Sequence, residues 1–325
     1  MPENPKLFIN NVPIEICTSV QKGLPFVSVK YMEIILKGCL AAAQSLFPVT
    51  ICHLVIMANH LHILLIVKNP EDVPKFMDYF KTESAHALNS LMGTKGQSFW
   101  VDGYDSPPIL SPSKFLERMQ YLYLNPVEAA LTKQASSYTG ISTYKELLSG
   151  DSVTQWKKLS RNQFSELPAG FLSNTYLRKL ADSFEAAKGA DYSLKIEPWA
   201  WLKCYPESTD WQPERIRASF LTRLKDAEQA VGRENKSCLS FELQENRDIR
   251  MPYKSTRSGK KSICLSDCPT QRSYLIAKFK EFTKQARLAF KKRRAGEHSA
   301  MPPPGFFLPG GVLLANISLP FLFLL

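Results

Sequence analysis

Apolar and polar residues alternate along the chain in short blocks, and the period of each block predicts its element. "IEICTSV" (residues 14–20) alternates with period two and predicts a strand, which "LPFVSV" (24–29) extends or follows. Between Tyr31 and Phe47, Met32, Ile35, Leu36, Cys39 and Leu40 recur at helical spacing with alanine filling between them. "VTICHLVIMA" and "HLHILLIV" are apolar runs of strand length, joined through Ala58 and Asn59 as a hairpin. "DVPKFMDYFKTESAHALNSLMG" predicts a helix with Pro74 in its first turn and Gly93 at its end. "QSFWVDGYDSPPIL" reads as an aromatic strand or loop, interrupted by Gly103 and by Pro107 and Pro108. In "SPSKFLERMQYLYLNPVEAAL", Ser111 is the N-cap, Pro112 takes the first helical position, and Pro126 ends or kinks the helix just after Asn125.

The first six elements run strand, helix, strand, strand, helix, strand. This is the layout of a ferredoxin-like α+β domain, an antiparallel sheet with helices on one face, and the last helix is additional to it. A connector rich in Ser, Gly and Thr ("SSYTGISTYKELLSGDSVT") places the end of this unit near residue 150, so residues 1–150 are expected to form one domain. Residues 151–325 are expected to form a basic, mainly helical region, from "RIRASFLTRLKDAEQAV" and "RSYLIAKFKEFTKQARLAFKKRR" with the Lys/Arg/Ser-rich "MPYKSTRSGKKSICLS" between them.

Charge sharpens that division. The 325 residues carry +11, yet residues 1–150 hold twelve basic and twelve acidic side chains, so the excess lies entirely in the second half. A neutral chemical domain joined to a polyanion-gripping one is the expected arrangement. In the second half, Leu275, Ile276, Phe279, Phe282, Ala286 and Phe290 form an apolar stripe. Lys278, Lys280, Lys284, Arg287, Lys291, Lys292, Arg293 and Arg294 surround it as candidate phosphate contacts. Seven scattered cysteines and a polar opening without an apolar core suit a reducing cytoplasm, and Cys264 with Cys268 has no companion pair at zinc-finger spacing. The apolar "GVLLANISLPFLFLL" (311–325) is broken by Asn316 and Pro320 and is read as a packed end rather than a membrane span. No glycine-rich phosphate loop is present, which removes support for nucleotide-binding enzymes.

The candidate chemistry centres on His60 and His62. Positions i and i+2 of a strand share a face, so both imidazoles leave the sheet on one side, anchored by the apolar run that follows. On the last helix of the first half, Glu117, Tyr121 and Asn125 are spaced by four and share a face, while Tyr123 points to the apolar side with Met119. That shared face offers a phenol with a neutral amide one turn later, within reach of a common metal or phosphate. Lys75 and Lys81 on the preceding helix are candidate phosphate contacts, and Trp100 and Tyr104 are candidate stacking platforms for unpaired bases.

"NHLHILL", "KTESAHALN", "FWVDGYDSPPIL" and "YLYLNPVEAAL", in this order and at these intervals, resemble the single-tyrosine HUH transposases. The likeness is greatest to the REP-associated tyrosine branch of the insertion-sequence-200-like transposases. It covers roughly residues 10 to 145. It implies that His60 and His62 bind a divalent cation, Mg²⁺ or Mn²⁺, with Asn125 as third ligand and Tyr121 as the nucleophile that forms a 5′-phosphotyrosine link. The implied partner is single-stranded DNA, with hairpin-forming repeat sequences as the target. The chain departs from the family after Pro126, where Glu128 stands in a stretch that often carries arginine. Two other classes compete. A non-catalytic nucleic-acid-binding protein of the same fold would not need Tyr121, His60, His62 and Asn125 together. A different metal-dependent hydrolase would need carboxylates beside the histidines, and no Asp or Glu lies between Glu33 and Glu71.

Overall fold

The structure is a computed structural model that describes residues 6, 8–20, 30–57, 59–91, 96, 98–158, 191–234, 262–301 and 303. The expectations for 24–29, for most of the basic 251–266 stretch, and for 311–325 lie outside the described residues. The elements are β1 (Ile14–Ser19), α1 (Lys30–Leu46), β2 (Thr50–Ile56), β3 (His60–Ile66), α2 (Asp72–Leu91), α3 (Pro112–Glu128), β4 (Ile141–Ser142), α4 (Tyr144–Ser149), β5 (Ser152–Trp156), β6 (Tyr192–Ile196), α5 (Pro213–Glu234) and α6 (Pro269–Arg294). Among the described residues no helix is long and apolar enough to cross a membrane.

The sheet runs β1-β3-β2-β6-β5, with β4 also pairing on β2. Every pairing is antiparallel except β2 with β6. Residues 100–108 run antiparallel along the free side of β1, through isolated bridges from Val20 to Trp100, Cys17 to Asp105 and Ile14 to Pro108. They occupy the place of the fourth ferredoxin-like strand. They do not form a regular strand, because Gly103 takes a φ of 71° and proline lacks the N–H a ladder needs.

Side-chain parity divides the sheet into two faces. Ile14 and Ile16 of β1, and Leu61, Ile63 and Leu65 of β3, pack with α1 and α2 in one core, which also takes Met32, Leu36, Phe76 and Phe80. Leu64 and Ile66 of β3 point the other way, into a second core with Phe115, Met119, Leu122 and Tyr123 of α3. The additional helix therefore covers the face opposite α1 and α2. At Cys52 and His53 the β2–β3 register shifts, so that both side chains turn towards the second core.

The fold does not stop at Gly150. β5 and β6 extend the same sheet, with Leu194 and Ile196 buried in the first core. Trp201, Leu202, Tyr205, and Phe220 and Leu224 of α5 complete the second core against α3. The Ser- and Gly-rich connector is thus a surface turn within one folded unit. The composition shift there follows surface charge and not the limits of the core.

α6 starts beside the N-terminus of α3. Leu265 bridges to Ile109, and the Asp267 carboxylate accepts hydrogen bonds from Ser111 (2.7 Å) and Ser113 and pairs with Lys114 (3.1 Å). Leu275 then packs with Ile9, Val12 and Leu110 in a small third cluster, with Phe279 against it.

Candidate active site

α3 forms where the sequence signals its start. Ser111 sits in extended conformation and its hydroxyl accepts from the Lys114 amide, with Pro112 opening the helix. The helix does not end at Pro126 and continues to Glu128. A proline so near the C-terminus forfeits one backbone hydrogen bond, and the last turn closes with Ala129 N–H donating to the Asn125 carbonyl. This keeps Asn125 in register with the rest of α3.

One face of α3 carries Phe115, Met119, Leu122 and Tyr123 into the second core. The face towards β1 and β3 carries Arg118, Tyr121 and Asn125. His60 and His62 leave β3 on that side, their rings perpendicular with centroids 5.0 Å apart. Asn125 Nδ2 donates to His60 Nε2 at 3.0 Å, and the Tyr121 ring meets His62 edge-on with centroids 5.4 Å apart. The four residues singled out from sequence are brought together. Glu117 is not; it points outward and pairs with Lys114.

The sequence reading missed the residues that hold this group in place. His60 Nδ1 donates to Asn59 Oδ1 (2.7 Å), and His62 Nδ1 donates to Glu15 Oε1 (2.9 Å). Arg118 grips the same carboxylate with Nε on Oε2 (2.6 Å) and Nη2 on Oε1 (2.7 Å), and its guanidinium lies over the Tyr121 ring at 4.2 Å. Burial alone would raise the Glu15 carboxyl, but the hydrogen bonds from His62 and Arg118 hold it below the ordinary carboxylate range. Burial alone would lower His62, but its contacts with Cys17 (3.9 Å) and Glu15 raise it to about 9. Glu15 is legible as an acid between Ile14 and Ile16; its partner is not, because β1 and β3 are separated by about 40 residues of chain and periodicity does not encode their pairing. β3 lies between β2 and β1, and it is on β1 that Cys17 stands opposite His62 with Glu15 two residues away.

The donor set suits a cation. A hydrogen-bond acceptor at each Nδ1 holds both imidazoles in the form that presents Nε2 to a metal. The Asn125 amide now donates its Nδ2–H to His60 Nε2 at 3.0 Å, so to serve as a ligand it would have to turn and present Oδ1 instead. Among the described residues no group of three or more His, Cys, Asp or Glu is placed to hold a metal, so a cation here depends on two imidazoles and an amide. It must also displace a proton from His62.

The remaining candidates fare differently. Trp100 is buried, with its indole N–H on Ser84 Oγ (2.9 Å), so it offers no face to a base. The Tyr104 hydroxyl is buried and Lys6 covers its ring. The Lys81 ammonium donates to the carbonyls of Val101 (2.7 Å) and Gly103 (2.8 Å), bracing the 100–108 segment. These three serve packing, which residue type alone does not distinguish from stacking or phosphate contact. Lys75 stays at the surface, 3.7 Å from Glu71. On α6, Lys278, Lys284, Arg287, Lys291, Lys292 and Arg294 are exposed and Arg293 is half-buried; of the apolar stripe, Leu275 and Ala286 are buried and Ile276, Phe279, Phe282 and Phe290 half-buried. His53 is wholly buried and bonds Tyr123 Oη at 2.9 Å, away from the histidine pair.

Residues 25–117 match the family model described as IS200-like transposase. The match takes in β2, β3 and α2 and ends at Glu117, four residues before Tyr121. The chain is also similar to a solved structure, a REP-associated tyrosine transposase bound to a REP hairpin. The two share 15% identity over 46% of this chain and 86% of that one, with a TM-score of 0.38. No curated protein matches the chain.

Proposed function

We propose that the chain cleaves and rejoins single-stranded DNA through a 5′-phosphotyrosine link on Tyr121. The observation that supports this is the meeting of one helix face with one strand face: Tyr121 against His62, and Asn125, a turn later, against His60. The Tyr121 oxygen attacks the phosphorus in line with the scissile P–O3′ bond. The Oη–P bond forms, the phenol proton passes to solvent, and the P–O3′ bond breaks with its electron pair on O3′, which takes up a proton as a free 3′-hydroxyl. Attack on the phosphotyrosine by another 3′-hydroxyl reverses the step and joins strands. One ester bond is exchanged for another, so no nucleotide cofactor is consumed. His60, His62 and Asn125 would hold Mg²⁺ or Mn²⁺, which when bound supplies charge neutralisation at the phosphate and favours the phenolate over a phenol of ordinary pKa near 10. Glu15 and Asn59 keep the two imidazoles turned towards that position. The exposed cations of α6 suit the duplex stem of a hairpin-forming repeat, with cleavage in the adjoining single strand.

The test is incubation of the full chain with end-labelled single-stranded hairpin oligonucleotides and Mn²⁺, followed by denaturing electrophoresis. A labelled protein band is expected, absent with Tyr121→Phe and absent in chelator. A wild-type chain that cuts nothing and forms no adduct on any hairpin would sink the proposal. An adduct that survives Tyr121→Phe would move the nucleophile elsewhere.

A further inference from the structure

Glu15, His62, Tyr121 and Arg118 form a closed ring of contacts, three of its members buried or mostly so. Glu15 accepts from His62 on one side and takes the two-pronged grip of Arg118 on the other. The Arg118 guanidinium lies over the Tyr121 ring, and Tyr121 returns edge-on to His62. Only 4% of the Glu15 side chain is exposed, and removing one partner from such a buried charge pair is costly, so the ring holds together or comes apart as a unit. Arg118 and Tyr121 are one turn apart on α3, whereas Glu15 and His62 come from neighbouring strands.

Resting on the reading of Tyr121 as nucleophile and His62 as ligand, we infer that Arg118 is a positioning residue. It fixes the nucleophile and, through Glu15, the ligand in one setting. A lysine cannot replace it, because an ammonium lacks the planar fork that grips both Glu15 oxygens. A guanidinium committed to Glu15 on two prongs and to an aromatic face has little left for DNA. Its loss therefore acts on the rate of the chemical step and on the metal, and not on oligonucleotide binding.

Full-length protein labelled with 3-fluorotyrosine gives a ¹⁹F signal for Tyr121, assigned by its loss in Tyr121→Phe. Arg118→Gln, Arg118→Lys and Glu15→Gln are each expected to move that signal towards the free-tyrosine value while the other tyrosine signals hold. Glu15→Gln is the decisive variant, since Glu15 bonds both Arg118 and His62, the two ring members that meet the Tyr121 ring, and so tests the ring as a unit. Each variant is also expected to weaken Mn²⁺ binding about tenfold, within the range for partners that orient metal ligands. On hairpin oligonucleotides kcat should fall about 100-fold with KM within about threefold, as a misplaced reacting group costs. The inference is overturned if Glu15→Gln leaves the Tyr121 signal and Mn²⁺ affinity as in wild type, or if Arg118→Gln raises KM alone and so contacts DNA. The fluorine signal is read without DNA or metal. A wild type that forms no adduct removes the cleavage reading, while the ring is still judged by whether Glu15→Gln moves Tyr121.

Discussion

His53 and His62 are both buried on the α3 side of the sheet, yet they settle in opposite protonation states. Burial pushes His53 down to about 3, whereas hydrogen bonds lift His62 to about 9 against the same burial. An unfolded histidine titrates near 6.5. Between pH 6.5 and about 3 the unfolded chain therefore takes up a proton at His53 that the folded chain refuses, so stability falls as the solution is acidified. His62 is protonated in both states below pH 6.5 and adds no slope there; its contribution is lost only as pH rises through about 9. Unfolding in urea is expected to show a loss of about 2 kcal/mol between pH 6.5 and 4.5 from His53. His53→Gln should flatten that part of the profile, and an equally steep profile in the variant would assign the slope elsewhere. The neighbouring Tyr123 belongs to the same buried network, with Thr143 Oγ1 at 3.0 Å. Tyr123→Phe is expected to cost about 1–2 kcal/mol in thermal or urea unfolding and to leave adduct formation intact.

At the scale of elements, α3 shows what is legible in a sequence and what is not. Its start, its apolar face and the pairing of Tyr121 with Asn125 follow from Ser111, Pro112 and the spacing of four. Its end does not, because Pro126 lies in the last turn, where only one hydrogen bond is at stake. The chain leaves α3 through Ala130 at a φ of 53°, in the left-handed region that a Cβ disfavours. Ala130→Gly is therefore expected to raise stability by about 0.5–1 kcal/mol, measurable as a higher melting temperature with unchanged cleavage. The strands divide the same way. The β2–β3 hairpin and the same-face histidines are local patterns and could be read directly. Glu15 beside His62, and residues 100–108 beside β1, are pairings between segments distant in sequence, which periodicity does not encode. For Trp100 and Tyr104 the sequence leaves base stacking open for the same reason: residue type shows a flat face, and only tertiary contact shows what covers it.

At the scale of the molecule, the charge boundary and the fold boundary do not coincide. A chain ending at Gly150 would lose Leu194, Ile196, Trp201, Leu202, Tyr205, Phe220 and Leu224 from the two cores. At about 1.5–3 kcal/mol per buried side chain, that exceeds the whole stability of an ordinary domain. Such a fragment is expected to be unfolded by circular dichroism and inactive. A chain ending at Glu234 keeps both cores and loses α6, which docks through the small cluster around Leu275. It should still form the adduct at high DNA concentration, with weaker binding at low salt and a flatter dependence on salt. An unchanged salt slope would show that the α6 cations do not meet phosphate.

The even-numbered positions of β3 face α3 and the odd-numbered ones face α1 and α2, and Leu61, Ile63 and Leu65 are fully buried on that odd side. Sliding the strand by one residue would bring those three to the histidine side and drive His60 and His62 into the apolar core. The exchange would cost about 5 kcal/mol or more in lost burial. The histidines are thus addressed by parity: in descent, as in engineering, the pair can shift along this strand only two residues at a time. Three fully buried side chains enforce that rule.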